Sequence, residues 1–379
     1  MPRRILFGSH NYWTSPIQVG SHALAHAFAE RGWEVGYVSD PISPLHFLRG
    51  RASDLRQRMT YSRDGGKQVE DKVWSYVPFA PFTPQRAPLL RSRFVHRNWH
   101  RFSRLQSVLK NAGFGSVDLL LMDSPFLLGL MDIVEYRHSV ARVADNFSGF
   151  SKVTQAARIV QNEMLSRADL VVFTASTLEQ GLKQQTSRPL MHLPNGVRFD
   201  LFQRAPRNMP AVYKGLKRPI AVYVGAMEDW FDADLVNHAA RALPDISFVM
   251  IGDASKVRFD PLPNIHLIGR VRHADLPAYL WNADVGIIPF DMKNHAALVN
   301  SINPLKLYEY MACGLPVVSV GWEELRRIAS PATLTEAPED FIAALRDIGA
   351  HQDRQRFIAY AGAQDWGSRA DAIVDALGL

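Results

Sequence analysis

The sequence has 379 residues, 47% of them hydrophobic and 21% charged, which supplies a full core, excludes a disordered chain and predicts two domains at roughly 100–200 residues each. A single cysteine, Cys313, excludes an intramolecular disulfide and a cysteine-based metal cluster, and no apolar run reaches the roughly 20 residues that span a bilayer. The net charge of +6 is unevenly spread: residues 1–210 hold 27 Lys and Arg against 16 Asp and Glu, and residues 211–379 hold 16 against 21. The first half is therefore expected to meet an anionic partner, whether a phosphate-rich ligand, a nucleic acid or an acidic lipid surface. With no signal-like apolar core after Arg3 and Arg4, the expected location is cytoplasmic, with at most peripheral attachment to the inner face of the cell membrane.

Short apolar runs alternate with helical ones from the start: Ile5–Gly8, a helix over about 20–31, Glu34–Ser39, then Val73–Val77, Val117–Met122, Val140–Ala144 and Leu170–Thr174. Nearly continuous apolar strands spaced by helices are what a parallel sheet covered on both faces requires, so a doubly wound α/β domain is expected. Within it, Arg86, Arg91, Arg93, Arg97, Arg101 and Arg104 recur with Leu90, Phe94, Trp99, Phe102, Leu105 and Leu109 and no acid. This reads as a basic amphipathic helix over 86–104, lying either on an anionic membrane or on its own domain.

A Pro, Asn and Gly-rich stretch from Pro194 to Pro210 reads as a linker. The pattern then restarts with Ile220–Val224, a helix over about 232–243, Ile246–Ile251, Ile265–Ile268, a helix near Leu276–Trp281, Val285–Pro289, the segment Pro304–Cys313 and Pro316–Val320. The expected architecture is two Rossmann-like doubly wound domains, 1–198 and 199–360, facing across a cleft, with a terminal helix in 361–379 crossing back to the first. Ligands of such sheets bind beyond the carboxyl ends of the strands.

The sharpest local signal is Asn303-Pro304-Leu305-Lys306-Leu307-Tyr308-Glu309-Tyr310-Met311-Ala312-Cys313-Gly314-Leu315-Pro316. Asn303 is expected as the helix N-cap, Pro304 as the first helical residue and Gly314 as the stop. The helix start with Lys306 in its first turn suits a diphosphate. Lys306, Glu309 or Tyr310, and Cys313 share one face, while Leu305, Tyr308 and Ala312 share another that can meet the core. Glu309, one turn on, can accept hydrogens from ribose or sugar hydroxyls.

The run Ser301–Val320 resembles the donor-binding segment of glycosyltransferases with the GT-B fold. Asn195-Gly196-Val197, Val224-Gly225-Ala226 and Gly269-Arg270-Val271 with Leu276, Tyr279 and Ala283-Asp284 extend the resemblance over most of the chain. The layout is similar to the xanthan-type exopolysaccharide glucuronosyltransferases, which share a Ser-X-X-Lys-Leu donor helix, here with Asn303 in the Ser place, and an Arg-X-Ala-Asp element, here Arg142-Val143-Ala144-Asp145. That resemblance implies a nucleotide-sugar donor, a UDP-sugar first among the candidates, held by Gly225, Ala226, Arg270, Val271, Ser301, Asn303, Pro304, Lys306, Leu307 and Glu309. It implies a saccharide acceptor and Asp145 as the base, while the clustered arginines of the basic first half point to an acceptor linked to a polyprenyl diphosphate.

Many retaining GT-B enzymes carry a second glutamate eight residues before the one matching Glu309, and Ser301 stands there, which favours inversion over retention. An inverting displacement needs one base near the anomeric carbon. Asp145 projects from the end of an apolar strand, although an aspartate there also suits a turn. His10 and His22 are the runners-up and, with Ser21, the expected acceptor-side residues. No cofactor and no metal is expected, and Asp229, Asp232 and Asp234 fit a helix start. The alternatives are a retaining GT-B glycosyltransferase and, with less behind it because the arginine stretch comes with no nucleic-acid motif and nucleic acid is not an expected partner, a nucleic-acid-binding protein; an epimerase or a phosphorylase on the same architecture is a third.

Overall fold

The structure is a computed structural model that describes residues 2–16, 18–49, 52–84, 90, 92–146, 153–348 and 353–379. The chain divides into two compact units: residues 1–194 with 369–379, and residues 195–368. The sequence had suggested limits at 198 and 360.

In the first unit the strands are β1 (Arg4–Ser9), β2 (Glu34–Ser39), β3 (Lys67–Glu70), β4 (Val73–Tyr76), β5 (Ser116–Met122), β6 (Glu135–Val143), β7 (Leu170–Phe173) and β8 (Leu190–His192). Among the described residues they form one sheet in the order β3-β4-β2-β1-β5-β6-β7-β8, parallel except for the β3–β4 pair. The second unit holds β9 (Ile220–Val224), β10 (Ser247–Ile251), β11 (Ile265–Gly269), β12 (Val285–Ile288), β13 (Val317–Val320) and β14 (Thr333–Thr335), ordered β11-β10-β9-β12-β13-β14 and parallel throughout. All residues of β9, β10 and β12 are buried, as a sheet covered on both faces demands. At about 1.5–3 kcal/mol for each large apolar side chain withdrawn from water, these strands are the main source of cohesion in their unit.

Each sheet reverses direction once. The chain leaves β1 towards β2 and β4 and returns to place β5 on the other side; it leaves β9 towards β10 and β11 and returns to β12. At such a reversal the connections diverge and leave a crevice at the carboxyl ends. The residues just past β1, β2, β5 and β6, and those just past β9 and β12, are thereby placed for ligands.

Two sequence expectations need correction. Residues 195–204 of the stretch read as a linker belong to the second unit and pack into it. The Val197 N–H donates to the Gln364 carbonyl at 2.9 Å, the Trp366 N–H donates to the Val197 carbonyl at 3.2 Å, and Phe199–Arg204 is helical with Phe202 fully buried. The apolar side chains there outweigh the turn-forming composition. The helix expected in 361–379 runs Trp366–Leu377 and follows a separate helix, Arg354–Gly362; between the two, Gln364 and Asp365 pair with Val197. Its end lies in the first unit, where Arg31 donates to both oxygens of Asp371 at 2.5 and 2.7 Å.

The basic stretch is not one helix. Arg86 and Arg91 lie outside the described residues; the remainder forms a helix Arg93–Asn98, a 3-10 turn Trp99–Phe102 and a helix Leu105–Asn111. Ser103 breaks the run, its hydroxyl donating to the His100 carbonyl at 2.7 Å and accepting from the Leu105 N–H at 3.2 Å. Trp99 is fully buried, and Arg97 is neutralised by Asp132 and, at 2.8 Å, by Glu163. Arg101 and Arg104 stay exposed, as do Phe94 and Phe102.

In β12, a Cβ on Gly286 would sit 2.2 Å from the ring of Tyr310. That ring is fully buried and its hydroxyl accepts from the Val224 N–H at 2.7 Å, so it has nowhere to swing. Gly286→Ala is expected to destabilise the protein by about 1–3 kcal/mol through overpacking. Thermal unfolding should show it as a melting point several degrees lower; a variant melting with the wild type would contradict this packing.

Candidate active site

The second unit builds an anion-binding corner at the reversal beside β9. Gly225, with φ +142°, follows β9, and Gly252, with φ +150°, follows β10. The Gly225 N–H donates to the Ile251 carbonyl at 3.0 Å and the Gly252 N–H to the Gly269 carbonyl at 2.8 Å. A Cβ on Gly252 would fall 1.9 Å from the Gly225 carbonyl oxygen, and one on Gly225 only 3.1 Å from Lys306 Nζ. Glycine at both positions lets bare backbone approach the lysine. Gly252 was not singled out from sequence, although like Gly225 it ends an apolar strand.

The helix Leu305–Ala312 begins one residue later than expected: Pro304 occupies the N-cap position and no side chain caps the end. Asn303, expected as the cap, is committed elsewhere. Its carbonyl accepts from Asn195 at 2.8 Å, its Oδ1 accepts from the Tyr308 hydroxyl at 2.9 Å and its Nδ2 donates to Glu324 at 3.4 Å. Asn303 thus fixes the loop and leaves the first turn uncapped.

Lys306 donates to the Tyr223 hydroxyl at 3.2 Å, with Nζ 4.5 Å from the Tyr223 ring centroid and 4.7 Å from that of Phe290. Among the described residues no carboxylate pairs with it. Burial pulls its pKa down to about 7, against the opposing pull of Glu309. A half-buried ammonium with aromatic walls, a helix start and no counterion is built to receive an anion.

Glu309 is bound by His273, Nε2 to Oε1 at 2.7 Å. Tyr310 and Cys313, placed by spacing on the face of Lys306, are fully buried core residues, while Leu305 is only half-buried. The sheet claims Tyr310 through Gly286 and Val224. Leu307 is likewise core, and Val271 is half-buried against it. The Ser301 hydroxyl is buried and donates to the Leu298 carbonyl at 2.9 Å. Arg270 is held by Asp253 at 2.9 Å. Ala226 turns its carbonyl to the Tyr223 hydroxyl at 2.9 Å. Asp232 caps the helix Ala233–Ala242, accepting from the Leu235 N–H at 2.8 Å.

In the first unit a polar cluster occupies the strand ends at the corresponding reversal. Asp145 stands two residues past β6; burial raises its carboxyl pKa, while the positive charges of Arg142 and His10 oppose the rise. Asp123, just past β5, accepts from the hydroxyls of Ser21 and, at 3.4 Å, Ser9; its other oxygen is buried without a partner among the described residues. Arg142 is 4.0 Å away, and both side chains are almost fully buried. Asp40, just past β2, meets His10 at 3.2 Å and accepts from the Ser124 hydroxyl.

These positions sort the base candidates. Both ring nitrogens of His22 are spent: Nδ1 accepts from the Val19 N–H at 3.2 Å and Nε2 faces the Tyr12 carbonyl at 3.1 Å. His22 is a buried residue whose ring is fixed by these two contacts. Desolvation opposes charge on His10, but Asp40, then Asp123 and Asp145, outweigh it and push its pKa up to about 9. A histidine already protonated at neutral pH cannot take a proton there. Ser21 serves Asp123. Burial raises the proton affinity of Asp145 in the same cluster. Sequence reasoning missed Asp40 and Asp123, and the signal was a polar residue directly after an apolar strand.

Comparison with known proteins matches residues 6–174 to the family model "Glucuronosyltransferase GumK, N-terminal domain" and residues 218–350 to "Glycosyl transferases group 1". The Bacillus subtilis protein TuaH, assigned by its name to teichuronic acid biosynthesis as a glycosyltransferase, is 26% identical over 236 residues, covering 57% of this chain and 57% of its own length. The chain thus spans little more than half of that relative. The UDP-glucuronate:glycolipid 2-beta-glucuronosyltransferase of Xanthomonas campestris is 21% identical over 324 residues, 84% of this chain and 76% of the relative. Among solved structures, sucrose-phosphate synthase from Thermosynechococcus elongatus superimposes with a TM-score of 0.68 at 14% identity, over 99% of this chain and 98% of that one. Anabaena HepE, solved in complex with UDP-glucose, gives 0.63 at 16% identity over 99% of each. The fold common to these structures is GT-B.

Proposed function

We propose that this chain, whose fold is GT-B, is a glycosyltransferase that transfers a sugar from a UDP-sugar to a hydroxyl of a lipid-linked saccharide during bacterial polysaccharide assembly, inverting the anomeric centre with Asp145 as base. The observation that carries this reading is the Lys306 ammonium, set without a carboxylate partner between the uncapped helix start and the Gly225 backbone. Leaving-group charge grows on the diphosphate as the glycosidic bond breaks, and preorganised cations and N–H groups are worth most at that point. The UDP and UDP-glucose complexes of HepE support uridine as the base, and the Xanthomonas relative's name supports a glycolipid acceptor.

In the proposed step the acceptor oxygen bonds to the anomeric carbon while the bond from that carbon to the diphosphate oxygen breaks. The acceptor proton passes to Asp145, and UDP leaves with the bonding electrons. Burial suits Asp145 to this task because a carboxylate with a raised pKa is a stronger base. Ser301 supports inversion over retention: at the place of the missing glutamate stands a buried hydroxyl already bonded to Leu298. Exposed Arg101 and Arg104 beside Phe94 and Phe102 support contact with an anionic membrane. No helix among the described residues is long and apolar enough to cross one.

Nucleotide release measured over a panel of UDP-, GDP- and dTDP-sugars tests the reaction class, and release from a UDP-sugar on addition of a saccharide acceptor is expected. Asp145→Asn should abolish turnover and leave UDP affinity within about twofold; near-normal turnover would remove Asp145 from the mechanism. Because its pKa is raised, the acid limb of kcat/KM should lie above the ordinary carboxylate value of about 4.

Lys306 predicts a proton linkage. With its pKa near 7 in the empty site, the amine is largely charged at pH 6 and largely neutral at pH 8, whereas a bound diphosphate requires the charge. UDP affinity should therefore fall as pH rises from 6 to 8. At pH 8 binding should take up close to one proton, seen in calorimetry as an enthalpy that follows the buffer's ionisation heat, and Lys306→Met should lose both effects. Flotation with anionic vesicles tests the membrane contact: binding should weaken with salt and in the Arg101→Glu/Arg104→Glu double variant. Binding indifferent to both would exclude that surface.

A further inference from the structure

His273 is the first residue of a 3-10 turn, His273–Asp275, shortly after β11 and the Gly269-Arg270-Val271 run. Its Nε2 lies 2.7 Å from Glu309 Oε1, with the two side chains 24% and 13% exposed. The fully buried ring of Phe202 packs against the imidazole edge to face, 5.6 Å between centroids at 78°, so the histidine is itself held in place. The second oxygen of Glu309 has no protein partner among the described residues. A carboxylate in this setting has one oxygen restrained and one open, and its plane is set by the histidine.

Glu309 stands three residues beyond Lys306, close to one turn, or about 5 Å, further from the helix start. A nucleoside diphosphate whose phosphates meet Lys306 would bring its ribose to that turn. We propose that His273 is a positioning residue for donor recognition: it anchors one oxygen of Glu309 so that the other accepts hydrogen bonds from the ribose hydroxyls, making the site selective for ribose over deoxyribose. This rests on the reading above, in which the helix Leu305–Ala312 binds the donor. The physical gain is preorganisation. A free carboxylate rotates about its terminal torsion and must be ordered when the ligand arrives, whereas one already clamped loses little freedom on binding.

The test is calorimetric titration of the full chain with UDP and with 2′-deoxy-UDP, for wild type, His273→Ala, His273→Gln and Glu309→Gln. Wild type should prefer UDP by tenfold or more, the usual scale for a hydrogen bond to a charged group. His273→Ala should lose about tenfold for UDP and under twofold for the deoxy analogue. His273→Gln, which keeps a donor near the same place, should recover most of the preference. With the UDP-sugar that is turned over, His273→Ala should raise KM and leave kcat within about twofold. Equal losses for both nucleotides would mark His273 as merely structural and overturn the proposal, as would no loss for either. If Glu309→Gln keeps the preference for UDP, the ribose assignment of Glu309 fails. If Glu309→Gln loses it while His273→Ala keeps it, only the role of His273 fails. A wild type that does not bind UDP, or that binds both nucleotides equally, overturns both.

Discussion

A half-buried lysine ammonium with no carboxylate partner among the described residues is costly, and much of the second unit's local architecture can be understood as keeping Lys306 in that condition. Burying an unpaired charge costs several kcal/mol unless something compensates, and the protein supplies only partial compensation: the faces of Tyr223 and Phe290 and one hydroxyl oxygen. Glu309, the nearest carboxylate on the same helix, is taken up by His273. A direct Lys306–Glu309 pair at the i, i+3 spacing would have satisfied both charges and closed the site. With the glutamate bound to His273, the cation has only aromatic faces and one hydroxyl for company among the described residues.

The first unit applies the opposite bias with the same means. Carboxylates accumulate where its strands end, and the two cations among them, Arg142 and His10, do not neutralise them evenly. Asp123 lies beside Arg142 and Asp40 beside His10. Asp145 feels both cations only through space, and burial dominates its titration. Three aspartates within one cluster therefore have distinct surroundings: Asp40 and Asp123 each sit beside a cation or hydroxyls, and burial raises the proton affinity of Asp145.

The strands were largely legible because their physics is local. β2 and β9 appear at the limits expected from their apolar runs, and most other strands shift by a residue or two. Lys306 and Glu309 were legible because helix spacing alone puts them on one face. What failed depended on partners distant in sequence. Asn303 is a good cap by type, but Asn195, Tyr308 and Glu324 claim it first. The period of the arginine stretch suggested one helix, yet burial of Trp99 and the bonds of Ser103 divide it. His22 looked reactive by type and position and is locked by Val19 and Tyr12. Tyr310 has the right spacing for a ligand contact, and only the contact with Gly286 reveals it as core.

Both sites nevertheless obey one rule that a sequence does carry. In each sheet the central strand is the first of its series, β1 or β9, and the residues that follow it and its late-arriving neighbour, β5 or β12, flank the reversal. Ser9 ends β1 and His10 follows it, while Asp123 and Ser124 follow β5; Gly225 and Ala226 follow β9, and Pro289 and Phe290 follow β12. The first sheet fills those places with acids and hydroxyls, the second with glycine and an aromatic ring beside a lysine. The two sets differ in the chemistry they offer: hydrogen-bonding carboxylate and hydroxyl groups in one unit, and a cation beside bare backbone in the other. Reading strand-terminal residues pairwise across the predicted reversal would have drawn Asp123 into the site before any coordinates, since Met122 is the last apolar residue of its run and the aspartate comes next.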